Sequence, residues 1–171
     1  MVRDTTIRVR GATARDAARI DELVGSLSPD SIVKRFMGGV SRAVATEELG
    51  REVRSCGAEF ALVAENSRGE IVAEAFAVLL SPQDAETAFV VRDREQHQGV
   101  GSALLDAIIA TLRARGVRTL HADTTPGNVA MLALLHEGGY PMRQRYLDGS
   151  VHVTLQIGES GAAMQNPIVP Q

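Results

Sequence analysis

The chain has almost no lysine and almost no cysteine. Of its 18 basic residues only Lys34 is a lysine, and the rest are arginine. The single Cys56 excludes an internal disulfide framework. Also missing is any apolar run long enough to span a bilayer, and the opening MVRDTTIRVRG lacks the apolar centre of a secretory signal. These absences lead us to expect a soluble, cytoplasmic protein without a membrane partner. A formal charge of −3 is too small, and of the wrong sign, for wholesale nucleic-acid binding.

What is present is a globular composition. Hydrophobic residues make up 44% and charged residues 23%, which argues against disorder, and 171 residues suffice for one domain with a core of its own. We expect that domain over residues 1–158 and a frayed tail over 159–171, where the composition turns small, polar and proline-containing.

Periodicity predicts the element order. Ile7, Val9 and Ala12 alternate with polar neighbours as in a short strand. Thr13 and Asp16 have capping-box spacing before Ala17, Ile20, Leu23, Val24 and Leu27, which recur as on a helix face. Ser28-Pro29 restarts a helix as cap and first residue, and Thr46-Glu47-Glu48 predicts the opening of another. EFALVAE and EIVAEAFAVLL then read as a hairpin and ETAFVV as a third strand. After the polar loop RDREQHQ, the residues Val100, Ala103, Leu104, Ala107, Ile108, Thr111 and Leu112 share one helical face, closed by Gly116. The strand VRTLHAD, the helix VAMLALLHE and a hairpin around Asp148-Gly149 complete the order. This is an α/β (α+β) pattern: a mixed, mainly antiparallel sheet with a parallel crossover late in the chain.

Gly99-Val100-Gly101 stands where the polar loop meets a helix. Without Cβ atoms, the amides of such a loop can approach an anion that the helix dipole favours. A Walker-type loop is set aside, since no Gly-Lys-Ser/Thr follows. A dinucleotide fingerprint has Leu104 where its third glycine belongs, and polar residues separate the strand from the glycines. A helix start that holds no ligand remains open on the loop alone.

Gln96-x-x-Gly99-x-Gly101, preceded by AFVV and followed by a long amphipathic helix, is similar to the pyrophosphate-binding motif of the GNAT superfamily of acyl-CoA N-acyltransferases. Asn128-x-x-Met131-x-x-Leu134 and then Gly139-Tyr140 resemble that superfamily's second cofactor segment, so the likeness covers roughly residues 5 to 157. LSPDSIVKRF, AETAFVV and GYPMRQRYLDGSVHVTL resemble more narrowly the acetyltransferase domain of bacterial Pat-type protein lysine acetyltransferases. That domain is often fused to a sensing or acyl-CoA-synthetase-like module, for which 171 residues leave no room.

The resemblance implies a GNAT fold with its sheet splayed at the cofactor and helices on both faces. It implies acetyl-CoA as acyl donor. Phe89, Val90 and Val91 would hold the pantetheine arm by their backbone, as an added strand does. The amides of His97, Gln98, Gly99, Val100, Gly101 and Ser102, behind Gln96, would surround the pyrophosphate, and Asn128 would reach the pantetheine or the thioester. Tyr140 would pack beside the cofactor. Acyl transfer needs a neutral amine, whereas a lysine ammonium has a pKa of about 10.4. The resemblance makes Glu86 the general base, with partial burial raising its pKa toward the working pH, and Asp123 the alternative. Where many GNAT enzymes carry a tyrosine that protonates the thiolate, this chain has Leu135. A thiol, with a pKa of about 8.5, is a fair leaving group without that help.

The implied acceptor is a protein lysine, such as one on an acyl-CoA synthetase. A small amine (aminoglycoside or polyamine) and a catalytically silent acyl-CoA sensor are the alternatives, and neither monomer nor homodimer is favoured. No metal is expected, because His121 and His136 lack ligand spacing. Cys56 reads as inert, Arg143 and Arg145 as a solvated strand edge, and the charges of Lys34-Arg35 as exposed.

Overall fold

The computed structural model describes residues 6–158, so the tail expected at 159–171 lies outside the described residues. The chain runs through β1 (Arg8–Gly11), a single 3-10 turn, α1 (Ala17–Gly25), α2 (Pro29–Phe36) and α3 (Arg42–Val53) before the sheet proper begins. Then come β2 (Glu59–Glu65), β3 (Ile71–Leu79), β4 (Asp84–Val91), α4 (Val100–Ala114), β5 (Thr119–Thr124), α5 (Val129–Glu137), β6 (Met142–Leu147) and β7 (Ser150–Gln156).

Local chemistry accounts for most boundaries. The Ser28 hydroxyl accepts from the Ser31 amide at 3.1 Å, with Pro29 at the first helical position of α2. The β6–β7 turn places Asp148 at φ 50° and Gly149 at φ 79°, the left-handed pair that a tight hairpin needs. One boundary corrects the sequence reading: α3 opens at Arg42, not near Thr46, because Ser41 caps it by accepting from the Val44 amide at 3.3 Å.

Seven strands form one sheet in the order β1-β2-β3-β4-β5-β7-β6. Every neighbouring pair is antiparallel except β4–β5, which is parallel. Two apolar layers cover the sheet on opposite faces. Residues of α4, with Leu135 of α5, pack on Leu62, Ala75, Leu120, Val153 and their neighbours. On the other face Ile20, Leu23, Ile32 and Leu49 from α1, α2 and α3 meet Ala61, Val63, Ile71 and Val90.

The parallel pairing is short. It joins Asp84 to Thr119, Ala85 to Leu120 and Glu86 to His121, and ends there. Beyond that rung β4 continues to Val91 bonded to β3, while β5 continues to Thr124 bonded to β7. The two strands therefore part at Glu86 and His121, and the α4 N-terminus follows from the β4 arm.

Candidate active site

The loop between β4 and α4 is tied down by side chains, which keeps its backbone available. Asp93 accepts from the Ser28 amide at 3.0 Å, the Ser28 hydroxyl at 2.6 Å and the Ser31 hydroxyl at 3.0 Å. Burial pushes the Asp93 carboxyl up, but these serine bonds outweigh it and hold it below its ordinary pKa. Arg92 is anchored by Glu95 and Glu70. Gln96 donates to the Val91 carbonyl at 3.0 Å and to Ser31 Oγ at 3.2 Å, so one amide group joins the β4 arm, the loop and α2.

Gly99 is the N-cap of α4 at φ 83°, a left-handed conformation that costs a residue with a Cβ on the order of 1–2 kcal/mol. The first backbone bond of the helix runs from the Ala103 amide to the Gly99 carbonyl at 3.0 Å. The amides of Val100, Gly101 and Ser102 thus precede the helical ladder and point out of its positive end. Gly101 has a second task, because a Cβ there would lie 3.3 Å from Leu134 Cδ2 on α5.

A cleft of about 770 Å³ opens between the β4 arm and α5. It is lined by Phe89, Val90, Val91, Gln96, His97, Gly99, Gly101, Ser102 and Asn128 of the residues singled out from sequence. Val90 is itself 3% exposed, its side chain turned into the core, so it can face a ligand only by its backbone. Asn128 caps α5 with its Oδ1, accepting from the Met131 amide at 3.3 Å, which leaves its NH2 group as a donor.

Other expected residues do not line the cleft with their side chains. Gln98 donates to the Arg94 carbonyl at 2.5 Å, and Val100 is buried in the core. Tyr140 packs against the α4-side core, with the Arg113 guanidinium 5.8 Å from its ring centre, and does not line the cleft. Leu135 is fully buried.

Glu86 sits at the apex where the strands part, but it is exposed, not partly buried as expected. Strand alternation is the reason: Ala85 and Thr87 are the inward residues, and the Thr87 hydroxyl donates to the Phe76 carbonyl at 2.8 Å. Asp123 lies on the β5 arm and is bonded to His152 Nδ1.

The wall opposite β4 includes the second cofactor segment read from sequence, Met131 and Leu134 with Asn128, and adds Ser31 and Val129, which sequence reading did not place there. Ser31, Lys34 and Arg35 line the cleft from α2, and Val129, Met131, Leu134 and Glu137 line it from α5. Lys34 is an exposed pair with Asp30 at 2.6 Å, as its i,i+4 spacing allows. Arg35 corrects the reading of an exposed charge: its side chain is 6% exposed, with Nη2 2.6 Å from Glu52 and 3.6 Å from the fully buried Glu74. Glu52 and Glu74 are far from Arg35 in sequence, so only the amphipathic face of α2 hinted at it. Among the described residues no group of three or more His, Cys, Asp or Glu could hold a metal ion, and no helix is long and apolar enough to cross a membrane.

A splayed parallel strand pair beside free helix-terminal amides is suited to an extended, phosphate-bearing ligand. Comparison with known proteins agrees. The family model of the acetyltransferase (GNAT) family matches residues 33–140. The GNAT domain of S. lividans PAT is 28% identical, with a TM-score of 0.76 over 88% of this chain and 90% of that one. A phosphinothricin acetyltransferase from Sinorhizobium meliloti, solved with acetyl-CoA, is 20% identical with a TM-score of 0.66 over 96% and 95% of the two chains. Spermidine N-acetyltransferase from Vibrio cholerae, solved with CoA and spermine, is 13% identical with a TM-score of 0.67 over 88% and 95%. The last two share the fold. With its family motif, its splayed sheet and its amide-lined helix start in agreement, the chain belongs to the GNAT family and is an N-acetyltransferase that uses acetyl-CoA.

Proposed function

We propose that the chain, as a single domain over residues 1–158, acetylates a protein lysine in the cytoplasm, with Glu86 as general base. The observation that carries the site reading is the end of β4–β5 pairing at Glu86 and His121. Beyond that rung, the β5 side of residues 87–91 has no strand partner among the described residues and leads directly to the amides of α4.

Acetyl-CoA supplies the activated acetyl thioester. Phe89, Val90 and Val91 offer the backbone of a free strand edge to its pantetheine arm. The amides from His97 to Ser102 offer donors to its pyrophosphate, with the exposed Lys34 on the α2 wall across the cleft. Asn128 offers its NH2 group at the opposite wall. Glu86, at the apex, accepts the proton that an ammonium must shed before it can attack. Its exposed setting suits an acceptor carried on the surface of another protein. The Pat-like segments LSPDSIVKRF, AETAFVV and GYPMRQRY, and the 28% identity to the S. lividans domain, support a protein lysine over a small amine. An acyl-CoA synthetase is the partner that this resemblance suggests.

The test is thiol release from acetyl-CoA with an acyl-CoA synthetase, spermidine and an aminoglycoside offered in parallel. Preferential turnover with the synthetase supports the proposal; preferential turnover with a small amine rejects the protein acceptor. In Glu86→Gln, kcat falls on the order of 10²-fold or more while the acetyl-CoA Kd stays unchanged. Near-normal turnover in that variant moves the base to Asp123. Tight acetyl-CoA binding without any acceptor-dependent release points to a sensor.

A further inference from the structure

The sheet face that carries Glu86 also carries two imidazoles that the acetyl-transfer reading leaves unused. His121 is the partner of Glu86 on the last β4–β5 rung, so both side chains leave the sheet on the same face, about 5 Å apart at the backbone. On the far side of β5, Thr154 stands opposite His121 and His152 opposite Asp123. The two rings stack, with centroids 5.4 Å apart and planes inclined by 23°.

Each ring is held by a carboxylate. His121 Nε2 lies 3.4 Å from Asp84 Oδ1, and His152 Nδ1 is bonded to Asp123 Oδ1. His121 Nδ1 lies 3.4 Å from the Thr154 hydroxyl, which can both donate and accept. Exposure rises along the row, from 21% for the His121 side chain to 40% for His152. The charged groups nearest this row on the face are Asp84 and Glu86 from β4, Asp123 from β5, and Arg143 and Arg145 of β6, which stand opposite Thr154 and His152; Glu59 of β2 and Glu74 of β3 share the face farther along the sheet.

We propose that His121, with His152 beyond it, is the proton outlet of Glu86. This rests on Glu86 as the base. The acceptor arrives as an ammonium and gives one proton to the Glu86 carboxylate. The nitrogen then bonds to the carbonyl carbon, the C–S bond breaks with its electron pair leaving on sulfur, and the second nitrogen proton ends on that sulfur as thiol. With donor and acceptor seated over Glu86, its own proton passes by way of solvent to His121 Nδ1, while Nε2–H faces Asp84, which holds the imidazolium. Face-stacked rings do not share a proton directly, so the transfer runs over their edges, through Thr154 and solvent, to the more exposed His152 and then to water. Glu86 returns to carboxylate and both imidazoles to neutral, with one proton released per turnover. Imidazole suits this task because its ordinary titration lies near neutral pH.

His121 is thus a positioning residue for proton flow, and its substitution is read by pH dependence. His121→Gln keeps the size and a donor toward Asp84 but cannot titrate. In the full chain, at saturating acetyl-CoA and acceptor, we expect kcat to fall roughly ten-fold or more, with the acetyl-CoA Kd unchanged. The limb of the kcat–pH profile that reports the imidazole is lost, and added imidazole restores part of the rate. Asp84→Asn, which removes the carboxylate holding the imidazolium, moves that limb to lower pH and carries the same test if His121→Gln does not fold. A wild-type kcat and pH profile in His121→Gln, or a loss that imidazole does not rescue with the limb in place, overturns the proposal while Glu86→Gln remains inactive. Wild-type turnover in Glu86→Gln overturns the base assignment and the outlet together.

Discussion

Gly101 on α4 and Leu134 on α5 are packed so closely that a methyl group on the glycine would make Leu134 give by a few tenths of an ångström: a Cβ at Gly101 would lie 3.3 Å from Leu134 Cδ2 and 3.6 Å from Cδ1. The same glycine lines the cleft and belongs to the free amides at the start of α4. The shape of the amide cradle is therefore coupled to the seating of α5, which carries Asn128 at its N-terminus.

Gly101→Ala forces Leu134 to yield, and Leu134 is half-buried with the cleft on one side. Overpacking costs about 1–3 kcal/mol, against a helix-propensity gain of about 1 kcal/mol from Gly to Ala. Acetyl-CoA affinity should drop several-fold by calorimetry while global stability changes little. Adding Leu134→Ala should restore most of the lost affinity, a coupling of about 0.5–3 kcal/mol in the double-mutant cycle. Gly99→Ala behaves differently, because a Cβ there meets open space and its cost comes from φ 83°. Leu134→Ala should leave the Gly99→Ala defect untouched.

The contrast between these glycines shows how far the sequence could be read. Gly99 and Gly101 look alike as a motif, and both suggested close approach of an anion. Only the fold separates a conformational requirement at Gly99 from a helix–helix contact at Gly101, since Leu134 is distant along the chain. Local signals such as Ser28-Pro29, Asp148-Gly149 and Gly116 were legible because their physics involves a few consecutive residues. The α3 start was not, because Ser41 caps a helix whose first turn carries no acidic residue. The parting of β4 from β5 and the burial of Arg35 between Glu52 and Glu74 are long-range pairings with no local trace.

Gln96 bridges the Val91 carbonyl and Ser31 Oγ through a single NH2 group. Gln96→Ala loses both bonds and should cost about 0.5–1.5 kcal/mol of stability. Gln96→Glu places an acceptor against the Val91 carbonyl and adds a negative charge beside the phosphate-binding amides. It should bind acetyl-CoA more weakly than Gln96→Ala, with faster amide exchange over the loop before α4. Equal affinities in the two variants would mean that Gln96 only fills space.

Asp16 links the first strand to the helical layer. Its carboxylate accepts from Arg10 Nη1 and Nη2 at 2.8 and 2.7 Å and from the Thr13 amide at 2.8 Å. The Arg10 bonds, against a burial that pushes the other way, hold its pKa well below the usual carboxylate range. A carboxyl depressed in the folded state stabilises fully above its unfolded pKa of about 3.9 and loses that contribution as pH falls toward the folded value. Asp16→Asn should cost about 1–3 kcal/mol at neutral pH and flatten the fall of stability below about pH 4. Urea unfolding from pH 7 down to the acid transition reads both effects.

Glu74 has the opposite sign. It is fully buried, neither carboxyl oxygen has a hydrogen-bond partner among the described residues, and Arg35 Nη2 is 3.6 Å away and closer to Glu52. Burial first, and the Glu52 charge second, push its pKa well above the ordinary value despite Arg35. The folded state then holds a proton that the unfolded state has released, so stability declines as pH rises from about 4.3 toward the folded pKa. Glu74→Gln removes this titration at nearly the same volume. Its stability should vary less with pH than the wild type, and the variant should become the more stable of the two toward alkaline pH. Glu52→Gln, by contrast, weakens the 2.6 Å pair that compensates Arg35 and should destabilise at every pH, since a buried guanidinium losing its partner costs several kcal/mol. Denaturant midpoints across the pH range distinguish the two: a wild-type slope in Glu74→Gln would place the titrating group elsewhere, and a stable Glu52→Gln would make Glu74 the true counter-ion of Arg35.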